Sequence, residues 1–360
     1  MNLLIDIGHP AHVHLFKHTA TEMKKNGHRI LFTVRDKDNA AYLLFRYRLE
    51  FARLGTHFKS KKGKIWGMLT FNYRLLRVAL RFKPDILLSH GSMYAAQVSR
   101  LIRKPHVSLE DTGNMEQIRL YRPFTDAILT STSFKTALGP KQLFYEGYHE
   151  LAYLHPNRFQ PNASIRSGLC RQSDRPYAIV RFVSWEASHD FGHPGISLTN
   201  KIRAIESFAK TADVYISSEG ELPPELEAYR LPVAPESMHD ALAFATLLYG
   251  ESATMASESA MLGVPAIYLD NKGRYYTREL EKKYGMVFNF TESPEDQERS
   301  IRKGVEILQS PRIRDEWQQR REKMLADRID VTAFLVWFLE TYPESAAILN
   351  QNPDYSKRFK

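Results

Sequence analysis

Residues 250–265 combine small, hydroxylated side chains with a glutamate at position 258, in a pattern that could bind a diphosphate. The stretch reads GESATMASESAMLGVP and follows TLLYG, an apolar segment that we predict to be a strand. Ser252, Ala253 and Thr254 would then open a helix whose unpaired backbone N–H groups attract anions. Their small side chains let a phosphate approach the backbone, and the two hydroxyls could donate further hydrogen bonds.

Glu258 lies one helical turn beyond Thr254, on the same predicted face. A carboxylate there could accept both hydrogens of a vicinal sugar diol, so the pattern predicts a binding site for a nucleoside diphosphate. The alternative is that Glu258 complements the helix dipole and that Ser252 is a plain N-cap. Ser252 and Glu258 are six positions apart, whereas a capping box places its acid three residues after the cap. We therefore favour the ligand interpretation.

Other polar residues follow predicted strands in the same half of the chain. Arg181 lies in the predicted strand YAIVRFVSW (177–185), and its guanidinium could neutralise a departing diphosphate. Met238 precedes a predicted helix and could border the base through its backbone. The candidates for contacts to a donor sugar are Glu186, His189 and Asp190. Each of these residues could instead belong to an ordinary loop.

The histidine-rich segment GHPAHVH (8–14) follows the first predicted strand. A dinucleotide-binding loop would show G-x-G-x-x-G, and the lone glycine here disfavours NAD and FAD. His14 and His18 have the spacing of metal ligands on a helix, but no cysteine lies near them in sequence. We therefore expect no metal and no cofactor.

Strands alternate with helices in two series, which predicts an α/β fold with two doubly wound parallel sheets. Ligands of such sheets bind at the carboxyl ends of the strands, so we expect the two domains to face a cleft there. The loosely patterned stretch between the two series predicts a linker. The expected parts are an N-terminal domain (1–155), a linker (156–175), a C-terminal domain (176–342) and a tail that packs back on the N-terminal domain (343–360).

The composition is that of a folded protein with two domains of ordinary size. Of 360 residues, 43% are hydrophobic and 25% are charged, and the single cysteine excludes an intramolecular disulfide bond. The first predicted strand starts at once, without a charged and apolar leader, and no apolar stretch approaches the roughly 18 residues that cross a bilayer. We therefore expect a cytoplasmic protein.

The positive charge is concentrated in residues 45–83, which hold eleven lysines and arginines against one acid, Glu50. Aromatic and aliphatic residues are interleaved with these cations. The pattern suits an anionic membrane surface, and it suits a solvated basic helix equally well. Nucleic acid is disfavoured, because no recognisable binding motif accompanies the charge.

Residues 250–269, GESATMASESAMLGVPAIYL, resemble the signature in the C-terminal domain of GT-B enzymes. Such enzymes include the UDP-N-acetylglucosamine 2-epimerases and the lipid-linked glycosyltransferases of the MurG type. In those families a small-residue turn holds the diphosphate, and a glutamate five residues before the Gly-x-Pro glycine binds the ribose. Glu258 stands five residues before Gly263. The segments DIGHPAHVHLFK, SHGS, RFVSWEASHD and LEKKYG extend a resemblance to the family named domain of unknown function 354 over nearly the whole chain.

The resemblance implies the GT-B architecture of two Rossmann-like domains and also suggests catalytic residues. His12 matches a histidine close to the reacting sugar, where it would act as a general base or donate a hydrogen bond, although it could merely cap a helix. Glu110 matches a proton-transfer glutamate of the epimerases, and Asp111 ends the same strand. The epimerase His-Gly-Asp motif becomes His-Gly-Ser here, with Ser92 in place of the aspartate.

Three functions remain open from the sequence. The first is a metal-independent glycosyltransferase that uses a nucleotide-diphosphate sugar, with a UDP-sugar as first choice, in cell-surface polysaccharide synthesis. It would act on a lipid-linked acceptor at the inner face of the membrane. The second is a sugar-nucleotide 2-epimerase, hydrolysing or not, and the third is a non-catalytic nucleotide-sugar-binding partner.

Overall fold

The computed structural model describes residues 1–36, 39–56, 61–170, 175–182, 195–218 and 221–360, with the side chains of 61–66 outside the description. The chain forms two compact units. Unit 1 contains Met1–Arg158 and Arg328–Lys360, and unit 2 contains Phe159–Asp327.

Unit 1 is built on a seven-stranded parallel sheet. Its strands are β1 (Asn2–Ile7), β2 (Arg29–Asp36), β3 (Phe51–Thr56), β4 (Ile86–His90), β5 (His106–Glu110), β6 (Ala127–Ser131) and β7 (Gln142–Tyr145). The spatial order is β3-β2-β1-β4-β5-β6-β7. The direction of winding therefore reverses between β1 and β4, which makes the carboxyl ends of these two strands the ligand-binding position of the sheet.

Helices cover the unit 1 sheet, so its central strands are apolar on both faces, as in other parallel sheets. They are α1 (Pro10–Lys25), α2 (Ala40–Arg46), α3 (Lys61–Phe82), α4 (Met93–Ile102), α5 (Met115–Tyr121) and α6 (Leu151–Leu154). In α1, Pro10 occupies the first turn, where its missing N–H costs nothing. Val13, Phe16, Ala20 and Met23 are buried, which confirms the helical spacing.

Unit 2 has a five-stranded parallel sheet of β8 (Tyr177–Arg181), β9 (Asp213–Ser217), β10 (Leu247–Gly250), β11 (Ala266–Leu269) and β12 (Val287–Phe290). The order is β12-β11-β10-β8-β9, so the winding reverses between β8 and β10. Its helices are α7 (Ser164–Leu169), α8 (Leu198–Ala209), α9 (Met238–Ala243), α10 (Ala253–Met261), α11 (Tyr275–Tyr284), α12 (Pro294–Gln309) and α13 (Ile313–Asp327). The two sheets confirm the predicted pair of doubly wound α/β domains.

The last helices of the chain return to unit 1. They are α14 (Val331–Glu340) and α15 (Glu344–Gln351), and α14 packs against α1 and α6. Phe334 and Phe338 of α14 are fully buried. The Arg158 guanidinium lies 2.7 Å from an oxygen of Asp330, which ties the two crossing segments together.

This division differs from the predicted domain boundaries. The chain returns to unit 1 at Arg328, so α14 belongs to unit 1 and not to a C-terminal domain ending at residue 342. Residues 159–175 are part of unit 2 and contain α7, whereas the sequence predicted a separate linker. An apolar helix such as α14 can pack on either domain, and its sequence does not reveal which one.

Helix α10 carries mostly small side chains because neighbouring helices and strands enclose it. It contacts α9, α11, β10 and β11, and Met255 through Met261 are all buried. Alanine and serine side chains allow these neighbours to approach closely. The first residues of the helix, by contrast, are half-buried, so its amino end is the part that a ligand can reach.

Among the described helices, none combines the length and the apolarity that crossing a bilayer requires.

Candidate functional site

The start of α10 lies at the point where the unit 2 sheet reverses its winding. Ser252 is the N-cap, and its Oγ accepts a hydrogen bond from the Met255 N–H at 3.3 Å. Ala253 and Thr254 form the first turn, where backbone N–H groups lack partners within the helix. The three residues at which the sequence predicted a helix start therefore lie together at the carboxyl edge of β10.

Gly250 allows this close approach between β10 and β8. Its φ is 154°, and a Cβ at this position would overlap the carbonyl oxygen of Arg181. The next residue, Glu251, donates its N–H to that same oxygen at 2.9 Å. Glycine is thus required where the chain leaves β10 for the helix.

Arg181 ends β8 at the same edge and is half-buried. Its Nη1 lies 3.4 Å from Ser217 Oγ at the end of β9. The guanidinium therefore lies at the carboxyl edge of the sheet, toward β9, and its role at a diphosphate stays a prediction. The donor-sugar candidates Glu186, His189 and Asp190 lie outside the described residues.

Glu258 is buried and paired with His239 of α9. The Glu258 Oε1 lies 2.9 Å from His239 Nε2, and the two residues are 5% and 3% exposed. Met238, the first residue of α9, is half-buried beside this pair. A ribose diol at Glu258 would have to share the carboxylate with His239. The sequence analysis did not foresee this partner, and binding of the ribose stays a prediction.

Glu251 is a further polar residue of this edge that sequence reasoning missed. Its Oε1 accepts the Ile196 N–H at 2.6 Å and lies 3.6 Å from Lys201 Nζ. The carboxylate therefore anchors the amino end of α8 next to the start of α10. Its position directly after β10 was the available signal.

Unit 1 gathers a second polar cluster at the corresponding edge of its own sheet. His90 ends β4, Asp111 follows β5, and His149 follows β7. The His90 Nε2 lies 2.9 Å from Asp111 Oδ1, and the His149 Nδ1 lies 3.2 Å from Asp111 Oδ2. Both histidine side chains are less than a tenth exposed, whereas that of Asp111 is 21% exposed.

His12 packs against this cluster, with its ring centroid 4.6 Å from that of His90. The Gly8 N–H donates to His12 Nδ1 at 3.3 Å, so the ring proton of a neutral His12 resides on Nε2. Burial, with the nearby His90 and His9, holds the pKa of His12 well below its usual range. Of the two chemical roles predicted for His12, hydrogen-bond donation from Nε2 fits this arrangement.

The helix cap that the sequence offered as an alternative for His12 is supplied by His9. His9 is the N-cap of α1, and its Nδ1 accepts the Ala11 N–H at 3.2 Å. His12 instead packs against His90 of the polar cluster.

His90 and Asp111 form an ion pair. Burial alone would lower the pKa of His90, but the Asp111 carboxylate outweighs it and raises this pKa to about 9. Burial would raise the pKa of Asp111, and His149 and His90 together hold it well below its usual range. At neutral pH the metal-free cluster therefore contains a histidine cation and a carboxylate anion.

Glu110 has a structural task that competes with proton transfer. Its Oε1 accepts hydrogen bonds from the Thr112 N–H at 2.7 Å and from the Gly113 N–H at 3.2 Å. Its Oε2 accepts from the Tyr121 hydroxyl at 2.7 Å, and Glu110 is only 1% exposed. Both carboxylate oxygens thus hold the turn after β5, and a catalytic role for Glu110 stays a prediction.

Ser92, which replaces the aspartate of the epimerase motif, caps α4. Its Oγ accepts the Ala95 N–H at 3.2 Å and donates to Asp6 Oδ2 at 2.5 Å. Asp6 is also bound by Arg35 Nη1 at 3.0 Å. Sequence reasoning missed Asp6, which lies inside an apolar strand, and His149, whose preceding four-residue strand β7 was not predicted.

Residues 1–276 match the family described as a protein of unknown function, DUF354. An uncharacterized protein of Methanocaldococcus jannaschii is 25% identical over 283 residues, which are 74% of this chain and 81% of that relative.

Solved structures with a similar fold include sugar-nucleotide enzymes. The UDP-N-acetylglucosamine 2-epimerase from Neisseria meningitidis, bound to its UDP-sugar, aligns with a TM-score of 0.63 and 13% identity over 94% of this chain and 100% of its own. The spinosyn rhamnosyltransferase SpnG complexed with thymidine diphosphate aligns with a TM-score of 0.62 and 14% identity over 94% of this chain and 100% of its own. At such low identity the similarity shows the fold alone. The fold is that of two Rossmann-like units, as in GT-B proteins.

Proposed function

Because the chain belongs to the DUF354 family and has this fold, we propose that it is an enzyme that uses a nucleotide-diphosphate sugar, with a UDP-sugar as first choice. The observation that carries the proposal is the half-buried start of α10 at the winding reversal of unit 2. Proteins of the same fold have been solved with UDP-N-acetylglucosamine and with thymidine diphosphate bound.

In the proposed donor complex, the amino end of α10 holds the diphosphate. Backbone N–H groups and the hydroxyls of Ser252 and Thr254 supply the hydrogen bonds, and Arg181 supplies positive charge. These groups stabilise a departing diphosphate without a metal ion. Glu258 would bind the ribose, and Met238 would border the base. Glu186, His189 and Asp190 remain the candidates for the donor sugar.

We assign glycosyl transfer in polysaccharide synthesis in preference to 2-epimerisation. Epimerisation by the route that the resemblance suggests needs several acid–base groups, and here Ser92 caps a helix while Glu110 holds a turn. On the acceptor side we place His12, which donates from Nε2, and Asp111, the most exposed member of the unit 1 cluster.

A single incubation separates these reactions. In D2O with UDP-N-acetylglucosamine alone, an epimerase incorporates deuterium at C2 of the sugar, and a transferase does not. We expect no incorporation, and we expect UDP to be released only when a glycan acceptor is added. Deuterium at C2 would establish the epimerase instead, and tight nucleotide binding without any turnover would support the non-catalytic partner.

We further propose that α3 seats the protein on anionic lipid beside a lipid-linked acceptor. Leu69, Tyr73 and Leu80 of α3 are 55%, 60% and 59% exposed, and the spacing places them on one helix face with Arg77. Each basic residue near an anionic membrane contributes about 1 kcal/mol. The alternative remains a solvated basic face.

Liposome sedimentation tests this surface. We expect binding to phosphatidylglycerol vesicles that weakens with salt, little binding to neutral vesicles, and a marked loss in the Arg77→Glu/Arg81→Glu double variant. The Arg312→Glu/Lys323→Glu double variant changes the net charge equally in unit 2 and should bind like the original protein. Equal losses in both double variants would show that net charge, and not this face, governs binding.

A further inference from the structure

His90, Asp111 and His149 reach the same point from three separate segments of unit 1. One nitrogen or oxygen atom from each side chain lies within 4.8 Å of the corresponding atoms of the other two. These segments are the end of β4 and the loops after β5 and β7, and they meet at the carboxyl edge of the sheet, where parallel α/β folds bind ligands.

The polar neighbours of these residues have roles in local structure, whereas the three residues themselves have none within the described part of the chain. His9 caps α1, Ser92 caps α4, and Glu110 holds the turn after β5. Within the described residues, the contacts of the Asp111 carboxylate are to His90 and His149, which are distant in sequence. The three side chains therefore contact one another and neither cap a helix nor hold a turn.

Burial gives this cluster an energetic cost. The two histidine side chains are 9% and 6% exposed, and the His149 Nε2 is buried without a hydrogen-bond partner among the described residues. Packing imidazoles and a carboxylate together at low exposure sacrifices hydration. A cation bound between them would offset that loss.

We propose that His90, Asp111 and His149 bind one divalent transition-metal ion of the zinc type. Two imidazole nitrogens and one carboxylate oxygen form a ligand set that zinc and related ions use in sites that keep a coordination position open. The 21% exposure of Asp111 leaves solvent access on one side. His12 packs against His90, and its Nε2–H can donate to an oxygen in the open position.

The ion would take an oxygen ligand, either water or a hydroxyl of a bound carbohydrate. The second choice rests on the proposed function, in which unit 1 binds the acceptor. In the proposed function the diphosphate departs from unit 2 without a metal ion. An ion bound in unit 1 does not change that proposal. The expectation of no metal considered histidines that are neighbours in sequence, whereas this set spans residues 90–149.

Direct metal titration tests the site without any activity measurement. Full-length protein is treated with a chelator, dialysed, and titrated with ZnCl2 in a calorimeter and with CoCl2 in a visible spectrophotometer. We expect one ion per chain and the absorption bands of cobalt with nitrogen ligands. His149→Ala and Asp111→Asn should each weaken zinc binding by more than about 10-fold. His155→Ala, a histidine change in the same segment, should leave it unchanged.

Absence of zinc binding to the folded protein would overturn the inference, and so would equal affinity in His149→Ala, Asp111→Asn and His155→Ala. Circular dichroism establishes that each variant is folded, and the near-isosteric Asp111→Asn protects the test against misfolding. UDP titration of the same preparations reports on unit 2. UDP binding without zinc binding overturns this inference alone, and zinc binding without UDP binding overturns the proposed function alone.

Discussion

At the scale of single residues, the pairing of Glu258 with His239 allows a carboxylate to be buried inside a helix. An unpaired charge at 5% exposure would carry a large desolvation cost, and the imidazole at 2.9 Å offsets it. The same carboxylate lies one turn from the start of α10, where the proposed function places the ribose. The pair can therefore serve both the fold and the ligand.

The first prediction separates these two tasks of Glu258. Glu258→Gln should weaken binding of a nucleoside diphosphate by about 1.5 to 3 kcal/mol, because charge-assisted hydrogen bonds to the diol are lost. Titration calorimetry measures the difference. His239→Gln is the control, since it alters the pair but keeps the carboxylate, and it should change affinity much less. Unaltered affinity in Glu258→Gln would confine Glu258 to its pairing with His239.

A second prediction at this scale concerns His106, which starts β5. His106 is fully buried, with Nε2 2.9 Å from Ser89 Oγ and Nδ1 2.9 Å from Thr125 Oγ1. Burial lowers its pKa to about 3, against about 6.5 in an unfolded chain. The unfolded state therefore binds this proton more readily, and the free energy of unfolding falls as pH decreases from 6.5 toward 3.

Between pH 7 and pH 5 this single group should remove about 2 kcal/mol from the stability of unit 1. Urea unfolding at the two pH values measures the loss. His106→Gln lacks the titrating group, so its stability should depend less on pH, although the substitution also perturbs packing at both pH values. An identical pH dependence in His106→Gln would show that other groups govern acid sensitivity.

How far single residues could be predicted depended on whether their contacts are local. The start of α10 at Ser252 follows from a few neighbouring residues, and the structure confirms it. His239 pairs with Glu258 nineteen positions away, and His149 meets Asp111 across two strands. Such partners are fixed by the order of strands in the sheet, which no short stretch of sequence specifies.

At the scale of elements, the strand ends determine the chemistry. Both sheets reverse their winding next to their first strand, at β1/β4 in unit 1 and at β8/β10 in unit 2. Each reversal carries a polar group of residues that follow strands. The alternation of strands and helices predicted the fold class, whereas strands β3, β7 and β12 were missed. These three strands are only partly buried, so they lack the continuous apolar run that predicted the fully buried four-residue strands β10 and β11.

At the scale of the whole molecule, the chain crosses from unit 1 to unit 2 and returns. The return begins at Arg328, which is 1% exposed, and the Arg328 Nη1 lies 2.9 Å from a Glu146 oxygen. Helix α14 then packs against α1 and α6, and the Phe334 ring stacks on the Tyr145 ring of β7. The sequence predicted a tail that packs back, but it placed the start of that tail at residue 343.

The packing of the last helices on unit 1 predicts the effect of truncating the chain. A chain that ends at residue 327 should lose the protection of α1 and β7 against amide exchange, because α14 buries apolar surface on this part of unit 1. Peptides from β8, β10 and α10 should remain protected, since unit 2 is intact. A chain that ends at residue 351 keeps α14 and α15 but loses residues 353–359, which contact β7, so the protection of α1 in this chain is the control. Undiminished protection of α1 in the shorter chain would show that unit 1 does not depend on the return.

Binding of a nucleoside diphosphate by unit 2 is the central claim, and titration calorimetry with UDP, GDP, ADP and CMP tests it most directly. We expect one site per chain, strongest for a single diphosphate with UDP as first choice. We expect weak binding of the monophosphate CMP, because in the proposed complex the start of α10 and Arg181 bind two phosphates. Failure of every nucleotide to bind to the folded protein would contradict the claim.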